Sequence, residues 1–172
     1  MNTMAKTYAA AAGFLACILA ANYATTQYGM VPVGFGLTAT AGTYFAGLTF
    51  VLRDSVQDAG GKLLTLGVIV LGAGMSFAIA APFIALASGV AFLCSETADL
   101  LIYTPLRRRG YLRAAVASNI VGAVVDTVLF LWVAGFPVWS GLPGQIVGKT
   151  LISLAAALLI AAVRTRHQAA TA

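Results

Sequence analysis

Charge is what this sequence has least of. Asp, Glu, Lys and Arg make up 9% of its 172 residues, against about 25% in a typical soluble chain. So few charges cannot coat a water-facing surface, so a soluble domain is excluded and the outer face must meet lipid. There is one histidine, and there are two cysteines. Cys17 and Cys94 both lie inside apolar runs, without metal-ligand spacing or a disulfide framework, and read as packing residues. No His-rich ligand set, Asp-rich metal motif, activated Ser or Cys, or Gly-rich phosphate loop is present. An enzyme is therefore not expected, and neither a metal nor an organic cofactor is called for. The five acidic residues are outnumbered by ten basic ones, for a net charge of +5. In a soluble protein that imbalance would suggest nucleic acid. Here the basic residues sit at the ends of apolar runs, so nucleic acid is not the expected partner and the charges report topology instead.

What the sequence has in abundance is hydrophobic residues, 60% of the total. A helix needs about 20 of them to cross a bilayer. The apolar runs predict an all-α membrane protein, a six-transmembrane-helix bundle forming one domain over residues 1–172. Its spans are Tyr8–Thr25, Gly36–Leu52, Leu63–Ser76, Ile79–Leu106, Leu112–Phe136 and Leu142–Val163. The first reads as a retained helix and not as a cleaved signal, because its apolar run continues past Cys17. The third is short, and its separation from the fourth rests on Gly74, Ser76 and Pro82, which weaken helix continuity. With six spans and an internal N-terminus, the inner segments carry Lys6, Arg53, Lys62, Arg107, Arg108, Arg109, Arg113, Arg164 and Arg166. The outer connections near 27–35, 76–80 and 137–141 carry no Lys or Arg. This asymmetry predicts a multi-pass protein of a prokaryotic inner membrane with both termini cytoplasmic. Small residues recur at helix-packing spacing in Gly42-xxx-Ala46, Ala87-xxx-Ala91 and Gly144-xxx-Gly148, where backbones can approach closely.

Four ionisable residues fall inside the spans: Glu96, Asp99, Asp126 and Lys149. Each costs about 2.5–3.5 kcal/mol at a helix centre on insertion scales, so each is expected to face a partner, water or a ligand. At 1.5 Å per residue, Glu96 lies about 15 Å from the inner end of its span, and Asp126 and Lys149 about 21 Å from theirs. That zone near the bilayer's middle is where transporters hold their substrates. Helical spacing groups the polar residues into stripes. Glu96, Asp99 and Tyr103 share one face, as do Asn119, Gly122 and Asp126, and Gln145, Lys149 and Ser153. Three seams turned inward would enclose a polar cavity. A purely structural network, with Lys149 neutralising Asp126 or Glu96, is the competing reading. Three acids set against one base leave a carboxylate without a cation, although Asp99 lies near enough to the inner face to pair with Arg107 or Arg113.

The residues themselves resemble a known family. Gly42-Thr43-Tyr44 through Phe50-Val51-Leu52-Arg53-Asp54, Ser95-Glu96-Thr97-Ala98-Asp99 with Ile102-Tyr103, Ser118-Asn119 with Asp126-Thr127 and Phe130, and Gln145 with Lys149 resemble the queuosine precursor transporter family, also called the vitamin uptake transporter family. The resemblance runs from about residue 37 to residue 155 in the family's order. It implies a fold like the six-helix substrate-binding subunits of vitamin importers, and uptake of 7-cyano- or 7-aminomethyl-7-deazaguanine. Mapped onto this chain, it implies a site of Asp54, Glu96, Asp99, Asn119, Asp126, Gln145 and Lys149.

The chemistry suits such a solute. A carboxylate can accept the adjacent N–H groups of a guanine-like edge as a charge-assisted fork, a role for which Glu96 is the candidate. Asn119 and Gln145 offer both donors and acceptors. Lys149 could donate to a carbonyl or hold Asp126 ionised, and Tyr44, Phe45, Phe92, Tyr103 or Phe130 could stack on the ring. Spacing alone does not single out a deazaguanine. A substrate-binding importer subunit for another planar vitamin or nucleobase stays open, as does a non-transport membrane assembly protein. The expected partners are the solute and the bilayer. A second copy of the chain or an energising subunit also stays open.

Overall fold

The computed structural model describes the backbone of residues 3–106, 108 and 111–171. It describes the side chains of 7–53, 55–57, 59–98, 101–102, 105–106, 108, 117, 120–156 and 158. In chain order it runs α1 (Thr3–Tyr28), β1 (Met30–Gly34), β2 (Leu37–Thr40), α2 (Thr43–Ile79), α3 (Pro82–Leu106), α4 (Tyr111–Val133) and α5 (Val138–Thr171). The protein is thus mainly helical, as the apolar runs predict.

Two features differ from the sequence reading. The expected second span began at Gly36, but residues 30–40 form an antiparallel hairpin in which Met30 pairs with Thr40 and Pro32 with Thr38. Its tip needs left-handed backbone, and Gly34, Phe35 and Gly36 have φ of 92°, 54° and 71°. Positive φ at both central residues makes the tight turn that suits the right-handed twist of paired strands. Gly29, with φ 58°, ends α1, and its carbonyl accepts from Ala41 N at 2.8 Å to close the hairpin's base.

The second difference lies at residues 53–62, expected as an inner connection. Helix continues through Arg53 and is interrupted only at Gly61, with φ 77° and ψ 173°. That conformation belongs almost entirely to glycine. It divides α2 into arms 43–60 and 62–79.

The two arms run in opposite directions along α1. Gly42 lies against Ala21 and Thr25, and Leu52 lies beside Gly13, so the first arm is antiparallel to α1. Gly72 lies beside Leu15 and Ile18, while Ser76 bonds Asn22, so the second arm runs parallel to it. α3 turns back on the second arm, with Gly89 beside Ala73. α5 follows the first arm, Gly144 against Thr38 and Gly148 against Thr43. The described residues therefore make six helical rods that alternate in direction, with the hairpin at one end and Gly61 at the other. Gly61→Ala is expected to cost about 1–3 kcal/mol by forcing a Cβ into this reversal. Thermal unfolding of the solubilised protein checks it against Gly67→Ala, where a Cβ meets nothing within 4 Å.

A buried apolar cluster lies where α1 meets both arms of α2. Phe14, Ile18, Val56, Val68 and Ile69 form it, and Phe14 meets Phe92 of α3 with ring centroids 5.9 Å apart. Elsewhere large apolar side chains point outward, among them Leu63, Val70, Leu101 and Leu158. Apolar surface on that scale calls for lipid or a partner. Among the described residues, Thr7–Tyr28 and Ala59–Ile79 are each long and apolar enough to cross a bilayer, and Pro82–Ala98 and Ile120–Val133 are shorter apolar helices. At the hairpin end, exposed Tyr28, Phe35, Trp132 and Trp139 gather at helix ends and the turn tip. Aromatic rings concentrate in this way at a membrane–water boundary.

Candidate functional site

Close backbone approaches build the interior. A Cβ on Gly144 would meet the Thr38 carbonyl, and one on Gly47 would come within 2.8 Å of the Lys149 carbonyl oxygen. Ser153 Oγ donates to Gly47 O at 2.6 Å. Held this near, α5 directs Gln145 and Lys149 inward, where both are buried. The predicted α5 stripe thus faces the interior.

The polar groups gather around one cavity with about 520 Å³ of space free of atoms, part of it open to the outside. Its walls come from α1, β2, the first arm of α2, α3, α4 and α5. Phe50, Phe92 and Phe130 supply flat apolar surface, and Asn22, Thr40, Thr43, Asp126, Gln145 and Lys149 supply polar atoms.

Lys149 Nζ donates to Asp126 Oδ2 at 2.6 Å and to Thr127 Oγ1 at 3.1 Å. A buried pair with an added hydroxyl compensates part of the desolvation of both ions. Gln145 Nε2 donates to Thr40 Oγ1 at 3.0 Å. Asn22 Nδ2 donates to Ser76 Oγ at 2.8 Å, and Ser76 Oγ donates to the Gly72 carbonyl at 2.7 Å.

The predicted residues separate into groups. Asp126, Gln145 and Lys149 meet at the cavity. Glu96 does not line it; its carboxylate is paired with Arg53. Phe92 and Phe50 line the cavity, and Glu96 and Arg53 follow them by four and three residues. Their ion pair therefore lies about one helical turn, some 5 Å, further toward the Gly61 end. Tyr44 is 40% exposed and outside the lining. The side chains of Asp54, Asp99 and Asn119, and of Tyr103, Arg107 and Arg113, lie outside the described residues.

Sequence reasoning missed Arg53 as a cation of the interior, because it was placed in a connection. It also missed Asn22 and Ser76, and it gave Thr40 and Thr127 no partner across helices. Thr residues in apolar helices usually bond their own backbone, as Thr49 does to Ala46 O, so no local pattern distinguishes those that reach across. Among the described residues, no three His, Cys, Asp or Glu side chains come together as a metal site.

Comparison with known proteins bears on residues 77–165. They match the model of the family described as "putative vitamin uptake transporter", just over half of the 172-residue chain. The chain belongs to the vitamin uptake transporter family. No curated protein and no solved structure matches it. Membership of a transporter family, joined to the outward apolar faces, makes this a membrane protein. The matched stretch holds Glu96, Asp126, Gln145 and Lys149, whereas Thr40, Thr43 and Phe50 come from the part before it. A vitamin uptake transporter of this kind thus assembles its cavity from both halves of the chain.

Proposed function

We propose that this vitamin uptake transporter imports a 7-deazaguanine, 7-cyano- or 7-aminomethyl-7-deazaguanine, into the cytoplasm of a prokaryote. In this reading the whole chain, 1–172, is one transmembrane domain of the inner membrane. The six alternating rods are its six spans, the aromatic band marks the outer face, and both termini lie in the cytoplasm. One observation carries the reading. The Asp126–Lys149 pair and the Gln145 amide stand beside the rings of Phe50, Phe92 and Phe130 in one cavity, apolar for a flat ring and polar for its edge. Asp126 accepts from ring and amine N–H groups, and Lys149 donates to the carbonyl.

Glu96, one turn further in and paired with Arg53, borders the proposed site. Asp54, Asp99 and Asn119 belong to the same proposed site. A different planar vitamin or nucleobase is the second reading, favoured by the breadth of the family's description.

Uptake by cells that cannot make 7-deazaguanines tests the proposal. Expression of this chain is expected to restore queuosine in tRNA at limiting external base. Accumulation that does not depend on the chain rejects the substrate. Chain-dependent uptake of another flat base moves the assignment to the second reading.

A further inference from the structure

Gln145 lines the cavity and is 1% exposed. Its amide nitrogen is committed to Thr40 Oγ1, and Thr40 is linked in turn to Thr43 Oγ1 at 3.2 Å. The bond to Thr40 takes one N–H of the amide. The acceptor side is left over, because Oε1 is buried and has no hydrogen-bond partner among the described residues. Buried carbonyl oxygens are rarely left unmet, since the desolvation cost then goes uncompensated. As Gln145 lines the cavity, the missing donor belongs to whatever fills it.

Charge narrows the class of solute. Asp126 and Lys149 are the charged side chains in the lining, and each neutralises the other. Glu96, the nearest acid beyond Phe92 on α3, is matched by Arg53. An extra cation entering the cavity would find no uncommitted carboxylate among the described lining residues. Burying a charge without a partner is strongly unfavourable.

We infer that Gln145 Oε1 selects the solute by accepting a hydrogen bond from an N–H of an uncharged, flat molecule, and that the cavity disfavours a cationic form of the same skeleton. The inference rests on the transport reading and gives it a direction: the nitrile-bearing base is preferred to the aminomethyl one, which carries an ammonium at neutral pH.

Equilibrium binding to the full chain in lipid nanodiscs tests this. The probes are 7-cyano- and 7-aminomethyl-7-deazaguanine, and the 2-desamino, 1-methyl and 9-methyl forms of the nitrile, each lacking one N–H donor group. The nitrile is expected to bind at least about tenfold more tightly than the amine. One of the three donor deletions is expected to cost the wild type about tenfold or more. That loss should shrink to under about twofold in Gln145→Leu, because a contact already removed cannot be lost again. Gln145→Glu keeps an acceptor and adds a negative charge, so it should narrow or reverse the preference for the uncharged base. It serves where Gln145→Leu does not fold.

Equal costs of every donor deletion in wild type and variant overturn the assignment, with a bound water as the partner of Oε1. Equal or tighter binding of the amine by the wild type also overturns it. If deazaguanines fail to bind while guanine or xanthine shows the Gln145-dependent loss, the assignment stands and the proposed substrate falls. Unaltered deazaguanine uptake in Gln145→Leu does the reverse. Binding of no base at all overturns both.

Discussion

Lys149→Met is expected to lower the stability of the solubilised protein by about 3–5 kcal/mol, because it leaves the Asp126 carboxylate buried without its cation. Two distances carry this expectation, 2.6 Å from Nζ to Asp126 Oδ2 and 3.1 Å to Thr127 Oγ1. Both side chains of the pair are largely buried, so solvent screening is weak and the loss exceeds that of a surface ion pair. Asp126→Asn should cost a comparable amount, because the ammonium is then the stranded charge. The double variant Asp126→Asn/Lys149→Met should recover most of the loss, since two neutral groups of similar size leave no buried charge. Denaturant unfolding in micelles measures all three. Uptake separates support from function: it should stay below about a tenth of wild type in the double variant, on the scale of one lost charge-assisted bond. Recovery of both stability and uptake would reduce the pair to a brace between α4 and α5 and remove it from the proposed site.

The second large effect concerns a methyl group. In Gly144→Ala the new Cβ would collide with the Thr38 carbonyl of the hairpin. The obstacle is backbone on both sides, so no side-chain rotation relieves it. Overpacking of this type costs about 1–3 kcal/mol, and more where neighbours cannot move. Displacing α5 from β2 would also pull Gln145 away from Thr40, so loss of uptake should accompany loss of stability. Gly74→Ala is the matched control. Gly74 also lies within a helix, but a Cβ there meets nothing within 4 Å. Its replacement should be neutral or stabilise by about 0.4–1 kcal/mol, because alanine restricts the unfolded chain. Equal midpoints for the two variants, read by thermal unfolding, would show that α5 and the hairpin are not in close contact.

Several parts of the fold were legible because they follow from local chemistry. The break between the second arm of α2 and α3 was placed near Met75–Pro82, and the helices part at Ala80–Ala81, next to Pro82. Proline at the first helical position lacks a donor that the helix would leave unused there. The helical faces of Gln145, Lys149 and Ser153 were legible for a similar reason, since helical period alone puts them on one side. The hairpin was not. Its alternation, Val31 and Val33 against Leu37 and Ala39, is short and lies in a continuously apolar stretch, which does not distinguish a strand from the start of a span. Gly61 was equally unreadable as a reversal. Gly60-Gly61 permits a turn without requiring one, and Arg53 was accordingly assigned to a connection.

Scarcity of charge, the length of the apolar runs and the one-sided placement of Lys and Arg determined by themselves that this chain belongs in a bilayer, and which residues would be expensive there. These are additive properties of single residues or single helices, so a sequence carries them in full. Partnership was decided only by tertiary structure: Asp126 with Lys149, Glu96 with Arg53, Gln145 with Thr40. Each joins residues far apart in the chain, and which acid meets which base depends on how six rods pack. That packing is set by where backbones can touch, at Gly42, Gly47 and Gly144, and a difference of one helical turn is enough to put Asp126 in the cavity and Glu96 outside it.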